Sequence, residues 1–453
     1  MWRSMFSIAS LLVIAAAWIL AIGIGLVVVE STAVAAAPMQ RRAAAAGLPD
    51  FWPPFAAKPV ERPAVPRKAA KPARRETPPR TADRPAAEPK PSGPLPRPVF
   101  SEKEQQLATI PGFPGTRFWA DSAGDYEEAL PASRGDWLVL SSGAQDSAFG
   151  AGFLSGWSAA HGRPDYSVVI GNGTAAFAAV YAFAGPRYDE AMRALFTGID
   201  AGDVFALRPT AESLVETWPF KRLIARRIGL DLLGDIAAEH AKGRRLFVLT
   251  TNLDAGRSVV WNMGAIAAIG GEAALNLFRD VLLAAASIPG ICPPVYIEAE
   301  AKDRRFLEMH VDARVTGTFY VAPDAYIVAG GARLPMARLY LILNGKAVPE
   351  FASPERRLTS IRERSSAMAM VSAIRGQLAM VHQAARRDGV ELNVAAMDPG
   401  FESVAQGAVS SRYMTKLFAS GFEKGRRTRF LGEYRYLPTM SLLGGAGGAD
   451  ASK

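Results

Sequence analysis

From about residue 101 onward, the chain alternates short apolar runs with longer segments whose apolar positions recur every three or four residues. The runs at 137–141 (WLVLS), 166–170 (YSVVI), 245–251 (RLFVLTT), 258–261, 295–298, 306–311, 318–321, 339–344 and 390–396 have the length and β-branched or aromatic content of strands. Between them, residues 149–161, 175–184, 219–242, 272–287, 356–387 and 410–424 carry helical patterning. Strands alternating with helices predict an α/β fold, a three-layer α/β/α sandwich around a central, mostly parallel sheet. Such sheets bind ligands beyond the C-terminal ends of their strands. The turns after Leu140 and Ile170 are therefore the first places to look for chemistry.

The N-terminus has another pattern. Residues 5–29 run for 25 positions without a charge. As a helix this stretch spans roughly 37 Å, enough to cross a hydrocarbon core of about 30 Å. It exceeds the apolar region of a secretory signal, about 7–15 residues, although the small residues at 32–37 also suit a cleavage site. Residues 1–30 are expected to be a single-pass membrane anchor. Arg3 on one flank and Arg41 and Arg42 on the other leave its orientation open under the positive-inside rule. The domain C-terminal to the anchor is expected to be exported, as is usual for N-terminal anchors of this kind.

Residues 31–100 form a Pro/Arg/Lys-rich stretch, and 38–100 alone hold 16 of the chain's 32 prolines. This texture predicts a disordered, extended tether. Its charge also suits contact with anionic lipid headgroups or an acidic polymer. A domain is expected at 101–440, with the motif-bearing core at about 136–322, and a flexible Gly/Ala-rich tail at 441–453.

Composition changes this picture in two respects. The formal charge is +9, but residues 38–100 hold 13 basic and 5 acidic side chains, whereas residues 101–453 hold 38 and 37. The basic character belongs to the tether, so a nucleic-acid-binding domain is not expected. Cys292 is the only cysteine, and His161, His240, His310 and His382 share no ligand spacing. No disulfide, metal site or cofactor is expected. Cys292 reads as buried, and His310 as a packed or surface strand residue rather than a ligand.

The first turn reads Ser141-Ser142-Gly143-Ala144-Gln145-Asp146-Ser147, and the second Gly171-Asn172-Gly173-Thr174-Ala175. Later come Thr250-Thr251-Asn252-Leu253-Asp254, the segment from Ser287 through Cys292 to Pro294, and Asp312-Ala313-Arg314. In this order and spacing the set resembles the patatin-like phospholipase family over about residues 136–322, continuing to about 422. The resemblance implies an acyl hydrolase with a Ser–Asp dyad. Its serine would sit in a G-x-S-x-G elbow, its oxyanion amides in a G-x-G-x-x-G loop, and its aspartate in a D-G-[GA] motif. An elbow exposes a strained nucleophile at a helix N-terminus, and loop glycines let amides approach developing negative charge.

All three motifs depart from the family. The nucleophile position is Gly173, between Gly171, Asn172, Thr174 and Ala175. The loop glycines fall at Ser142, Ala144 and Ser147, around Gly143. Asp312 remains, but Ala313 and Arg314 come directly after it. Loss of a nucleophile costs on the order of 10⁶ in rate. The expectation is a membrane-anchored member with a decayed site that binds a membrane lipid or fatty-acyl ligand. Arg314 would pair with Asp312, hold it ionised, or add positive charge for an anion. Two alternatives stay open. One is hydrolysis by a rerouted mechanism, with Thr174 the nearest hydroxyl and Ser142 and Ser147 behind it. The other is a protein-binding scaffold.

Overall fold

The computed structural model describes residues 97–328, 330–401, 409–428 and 430. The expected anchor, the tail and all but the last four residues of the expected tether lie outside the described residues. Among the described residues, no helix is long and apolar enough to cross a membrane.

Nine strands of the described residues form one sheet. They are β1 (Arg117–Trp119), β2 (Asp136–Leu140), β3 (Val168–Asn172), β4 (Arg245–Asn252), β5 (Arg257–Asn262), β6 (Val295–Ala301), β7 (Arg304–Asp312), β8 (Arg338–Leu343) and β9 (Glu391–Ala396). Strands β4-β3-β2-β8-β9 pair in parallel. Antiparallel β5 and β1 extend the sheet beyond β4, and β7 pairs with β4 and β6. Strands β2, β3, β4 and β8 are mostly apolar runs because both of their faces are covered, whereas the edge strand β9 is buried only in its C-terminal half.

Pleating sends successive side chains to opposite faces. In β2, Leu138 and Leu140 join one buried cluster, and Trp137 and Val139 the other. The first cluster packs under α1 (Ser147–His161), α2 (Ala175–Ala184), α3 (Trp218–Arg227), α4 (Leu230–Ala241), α5 (Gly271–Ala285) and α7 (Ser411–Arg426). The second lies under the C-terminal half of α6 (Leu358–Asp388), through Ile374, Leu378 and Val381. The fold is a mixed α/β architecture with helices on both faces of a central, mostly parallel sheet.

Two helices meet backbone to backbone. A Cβ at Gly152 of α1 would stand 2.1 Å from the Phe418 carbonyl oxygen, and one at Gly156 would stand 2.0 Å from that of Phe422. Reciprocally, Gly421 and Gly425 of α7 face the Phe149 and Phe153 carbonyls at 2.2 and 2.0 Å. The paired Gly-x-x-x-Gly spacings put both glycines of each helix on one face, so the axes can close on each other. This contact holds α1, which leads out of the first turn.

One predicted strand is corrected. Residues 318–321 run irregularly over the second core face, with Phe319 and Val321 buried in it. Their alternation reflects that burial, while the Thr318 amide donates to Gln377 Oε1 of α6 rather than to a strand. Arg97 and Phe100, assigned to the tether by composition, lie against the domain. Arg97 makes a two-pronged pair with Asp254 at 3.0 and 2.7 Å, and the Phe100 ring stacks on Phe306 at 4.3 Å.

Candidate functional site

The parallel strands β2, β3 and β8 end side by side, and the turns beyond them build the site. Strand β3 delivers Gly171 and Asn172, the chain turns at Gly173 with φ of +59°, and Thr174 leads into α2. This left-handed turn costs an L side chain about 1–2 kcal/mol and glycine little. Gly171 also has no room for a side chain, since its Cβ would lie 2.6 Å from the Ala176 Cα. The elbow backbone is therefore present, and α2 starts from it with Ala175 wholly buried.

The first turn comes close to the elbow. A Cβ built at Gly173 would lie 2.1 Å from Ser142 Oγ, 2.8 Å from Ser142 Cβ and 3.1 Å from Asp312 Oδ1. The position named for the lost nucleophile thus still faces Asp312, and the Ser142 side chain occupies the space a nucleophile would need. Ser142 is buried, and its hydroxyl has no hydrogen-bond partner.

Of the three positions read from the sequence as substituted loop glycines, only Ala144 has a left-handed backbone. Ala144 has φ of +51°, whereas Ser147 starts α1 at φ −60°. The loop is held by Asn344 after β8, which donates from Nδ2 to the Ser141 carbonyl at 2.7 Å and accepts at Oδ1 from the Gly150 amide at 2.9 Å. Gly143 packs so tightly that its Cβ would lie 2.5 Å from that of Asn344. Thr174 Oγ1 donates to the Ala144 carbonyl at 2.8 Å and lies 2.7 Å from Ser147 Oγ. Both hydroxyls therefore tie the loop to the elbow.

Asp312 ends β7 and is almost fully buried. Its Oδ1 accepts from the Arg314 amide at 2.8 Å, and its Oδ2 lies 3.4 Å from Arg314 Nη2. The pairing with Arg314 exists, but it does not set the net effect expected from sequence. Burial raises the Asp312 carboxyl above its usual range, and Arg314 offsets this only in part.

Sequence reasoning passed over the neighbouring Gln145 and Asp146. Burial pushes the Asp146 carboxyl up to about 6, against the hydrogen bond that Tyr413 donates to its Oδ1 at 2.7 Å. The signal lay in the motif loop itself, where two polar residues come after Ala144. The partner of Asp146, Tyr413, comes from α7, far along the chain.

Beside the elbow lies an apolar cavity of about 80 Å³. Phe177, Phe196, Phe220, Leu283 and Met414 line it, with Cys292 in the wall and Ala144, Gln145, Thr174 and Ser287 at the motif loops. Burial pushes the Cys292 thiol up to about 11, with a smaller push from the Asp312 charge, so it is no ready nucleophile. Arg314 is not among the lining residues.

His310 belongs to a separate buried network. Its Nδ1 is 2.9 Å from Thr250 Oγ1 and its Nε2 is 3.0 Å from Glu308 Oε2. Glu308 also pairs with Arg117 and accepts from Gln105. Among the described residues, no three His, Cys, Asp or Glu side chains converge as metal ligands would.

No family model and no curated protein matches the chain. Among solved structures, the crystal structure of VipD from Legionella pneumophila is similar at a TM-score of 0.33 and 11% identity, over 66% of this chain and 67% of that one. A likeness that loose leaves the functional reading to the chain's own geometry.

Proposed function

We propose that this protein is a patatin-like, three-layer lipid acyl hydrolase scaffold that has lost hydrolysis and retains binding of a lipid or fatty-acyl ligand. The observation that carries the reading is the elbow. A left-handed glycine stands at the nucleophile position opposite Asp312, Ser142 fills the vacated space, and an apolar cavity adjoins the turn. The loop still holds backbone strain at Ala144, which fits a site kept for recognition. Thr174 is a poor substitute nucleophile, because its hydroxyl already donates to the Ala144 carbonyl.

In this reading residues 1–30 anchor the chain in a membrane with the domain exported. The basic tether adds contact with anionic lipid or an acidic polymer. The test is to isolate the full-length chain in nanodiscs and assay it twice. Ester hydrolysis and fluorophosphonate labelling are expected at background, and extraction is expected to yield a stoichiometric lipid. Enzyme-like turnover, with labelling lost in Thr174→Ala, would revive the active reading. No recoverable or exchangeable lipid would leave the scaffold reading.

A further inference from the structure

We infer that the N-terminal half of α6, with the loop before it, is a docking surface for an anionic lipid bilayer. Neither the elbow nor the cavity takes part, so this goes beyond the proposed function. Two independent features of this corner lead here.

The first is apolar exposure. Helix α6 runs for 31 residues, but its buried side chains, from Ile374 to Ala385, all belong to its C-terminal half. Ahead of them, Leu358 is 83% exposed, and Ile361 and Met368 are exposed as well. At about 100° per residue these three fall within about 80° of one another. They lie roughly opposite the face that Ile374, Leu378 and Val381 turn to the core. The loop adds Phe351, which is 99% exposed. It lies alongside, because Arg364, one turn from both Ile361 and Met368, donates to the carbonyl of the adjacent Glu350. Four large apolar side chains gathered in this way differ from the scattered single ones of an ordinary surface. A fluid surface accepts side chains that project from a helix and a loop, whereas a protein partner needs a matching groove.

The second feature is charge. Residues 356–375 hold five arginines and one acidic residue, Glu363, while the rest of residues 101–453 carries more acidic than basic side chains. Positive charge is therefore focused on the part of α6 that the core leaves uncovered. The chain itself answers little of it. Arg356 and Arg362 make no ion pair among the described residues, and Arg357 pairs with exposed Glu355 at 3.1 Å. Arg356 and Arg357 also stand at the N-terminal end of the helix, where the dipole opposes cations and the first turn holds no acidic residue. A second copy of the chain would set arginine against arginine. Phosphate headgroups supply the missing anions in a layer, and the acyl region beneath them takes Phe351, Leu358 and Ile361.

Cys292 is the only cysteine and is buried, so an introduced surface cysteine can be labelled selectively. Leu358→Cys and, separately, Phe351→Cys are made in the full-length chain and labelled with the polarity-sensitive dye nitrobenzoxadiazole. Leu207→Cys, at a residue 92% exposed in the segment leading to α3, is the control. Each is reconstituted in phosphatidylglycerol and in phosphatidylcholine nanodiscs. The dye at 358 and at 351 is expected to shift to the blue in phosphatidylglycerol and much less in phosphatidylcholine, and the dye at 207 to stay unchanged. Adding Arg356→Ala and Arg362→Ala should lower the docked-to-free ratio of the 358 label about tenfold to thirtyfold. A chain that does not insert into nanodiscs is mixed with vesicles of the same two lipids and read in the same way, which separates failure of the anchor from failure of the surface.

An unshifted dye at both 358 and 351 in phosphatidylglycerol would overturn the inference. So would equal shifts in the two lipids, or a shift at 207 alone. A shift that appears in lipid-free amphipol and grows with protein concentration would overturn it in favour of a second copy. Each of these results leaves the lipid extraction and hydrolysis assays of the proposed function unaffected.

Discussion

Placing a serine at residue 173, the nucleophile position of the proposed reading, tests the site most sharply. In Gly173→Ser, the new Cβ must sit at φ of +59°, which costs about 1–2 kcal/mol. It must also share space with Ser142. The 2.1 Å approach to Ser142 Oγ can be relieved by turning that hydroxyl, but the 2.8 Å approach to Ser142 Cβ cannot, because no rotation about χ1 moves that atom. Ser142 is buried, so the loop backbone has to shift, and overpacking of this kind costs about 1–3 kcal/mol. The single variant is expected to lose about 2–5 kcal/mol in chemical denaturation. It should also leave p-nitrophenyl butyrate hydrolysis at background. The double variant Ser142→Gly/Gly173→Ser removes the steric part and should recover about 1–3 kcal/mol. Asp312 Oδ1 is only 3.1 Å from the Cβ position, so any esterase activity should arise in the double variant first. The reasoning fails if Gly173→Ser alone is as stable as the parent, or turns over ester at about 1 s⁻¹ or more.

Packing and charge give four other expected outcomes. Gly152→Ala should cost about 3 kcal/mol or more by denaturation, because its Cβ meets a backbone carbonyl of α7. Gly376→Ala in α6, with nothing within 4 Å, should instead stabilise by about 0.5–1 kcal/mol. Asp146 has a folded pKa of about 6 against 3.8, so the folded state binds the extra proton between those values and stability falls as pH rises through that window. Asp146→Asn should flatten this fall and raise stability at pH 8, read from denaturation midpoints across pH. Glu308 is held down at about 2 against 4.5 by His310 and Arg117 despite its burial, so its contribution is present above 4.5 and lost as pH falls toward 2. Glu308→Gln leaves buried Arg117 uncompensated and should cost about 3–5 kcal/mol at pH 7, again read by denaturation.

Periodicity and burial determined much of the fold from the chain alone. Helix Ala175–Ala184 and strand Arg245–Asn252 were legible because both faces of each are buried, so apolar runs bounded by glycine or charge mark their ends. The same signal misled at 318–321, where an irregular segment lies on a core face and alternates like a strand. Strand Arg117–Trp119 has only three residues and gains its identity from pairing with β5, which no local pattern records. The elbow turn was also readable, since Gly173 comes after an apolar run and precedes a helix. What only the tertiary structure decided is who fills the space beside it. Ser142, Gly173 and Asp312 are brought together by three different strands of one sheet, and Gln145 is left without a partner for its Oε1 because of what surrounds it. Sequence records residue types and short-range spacing, whereas a steric conflict or an unmet hydrogen bond depends on distances set by the packing of remote elements.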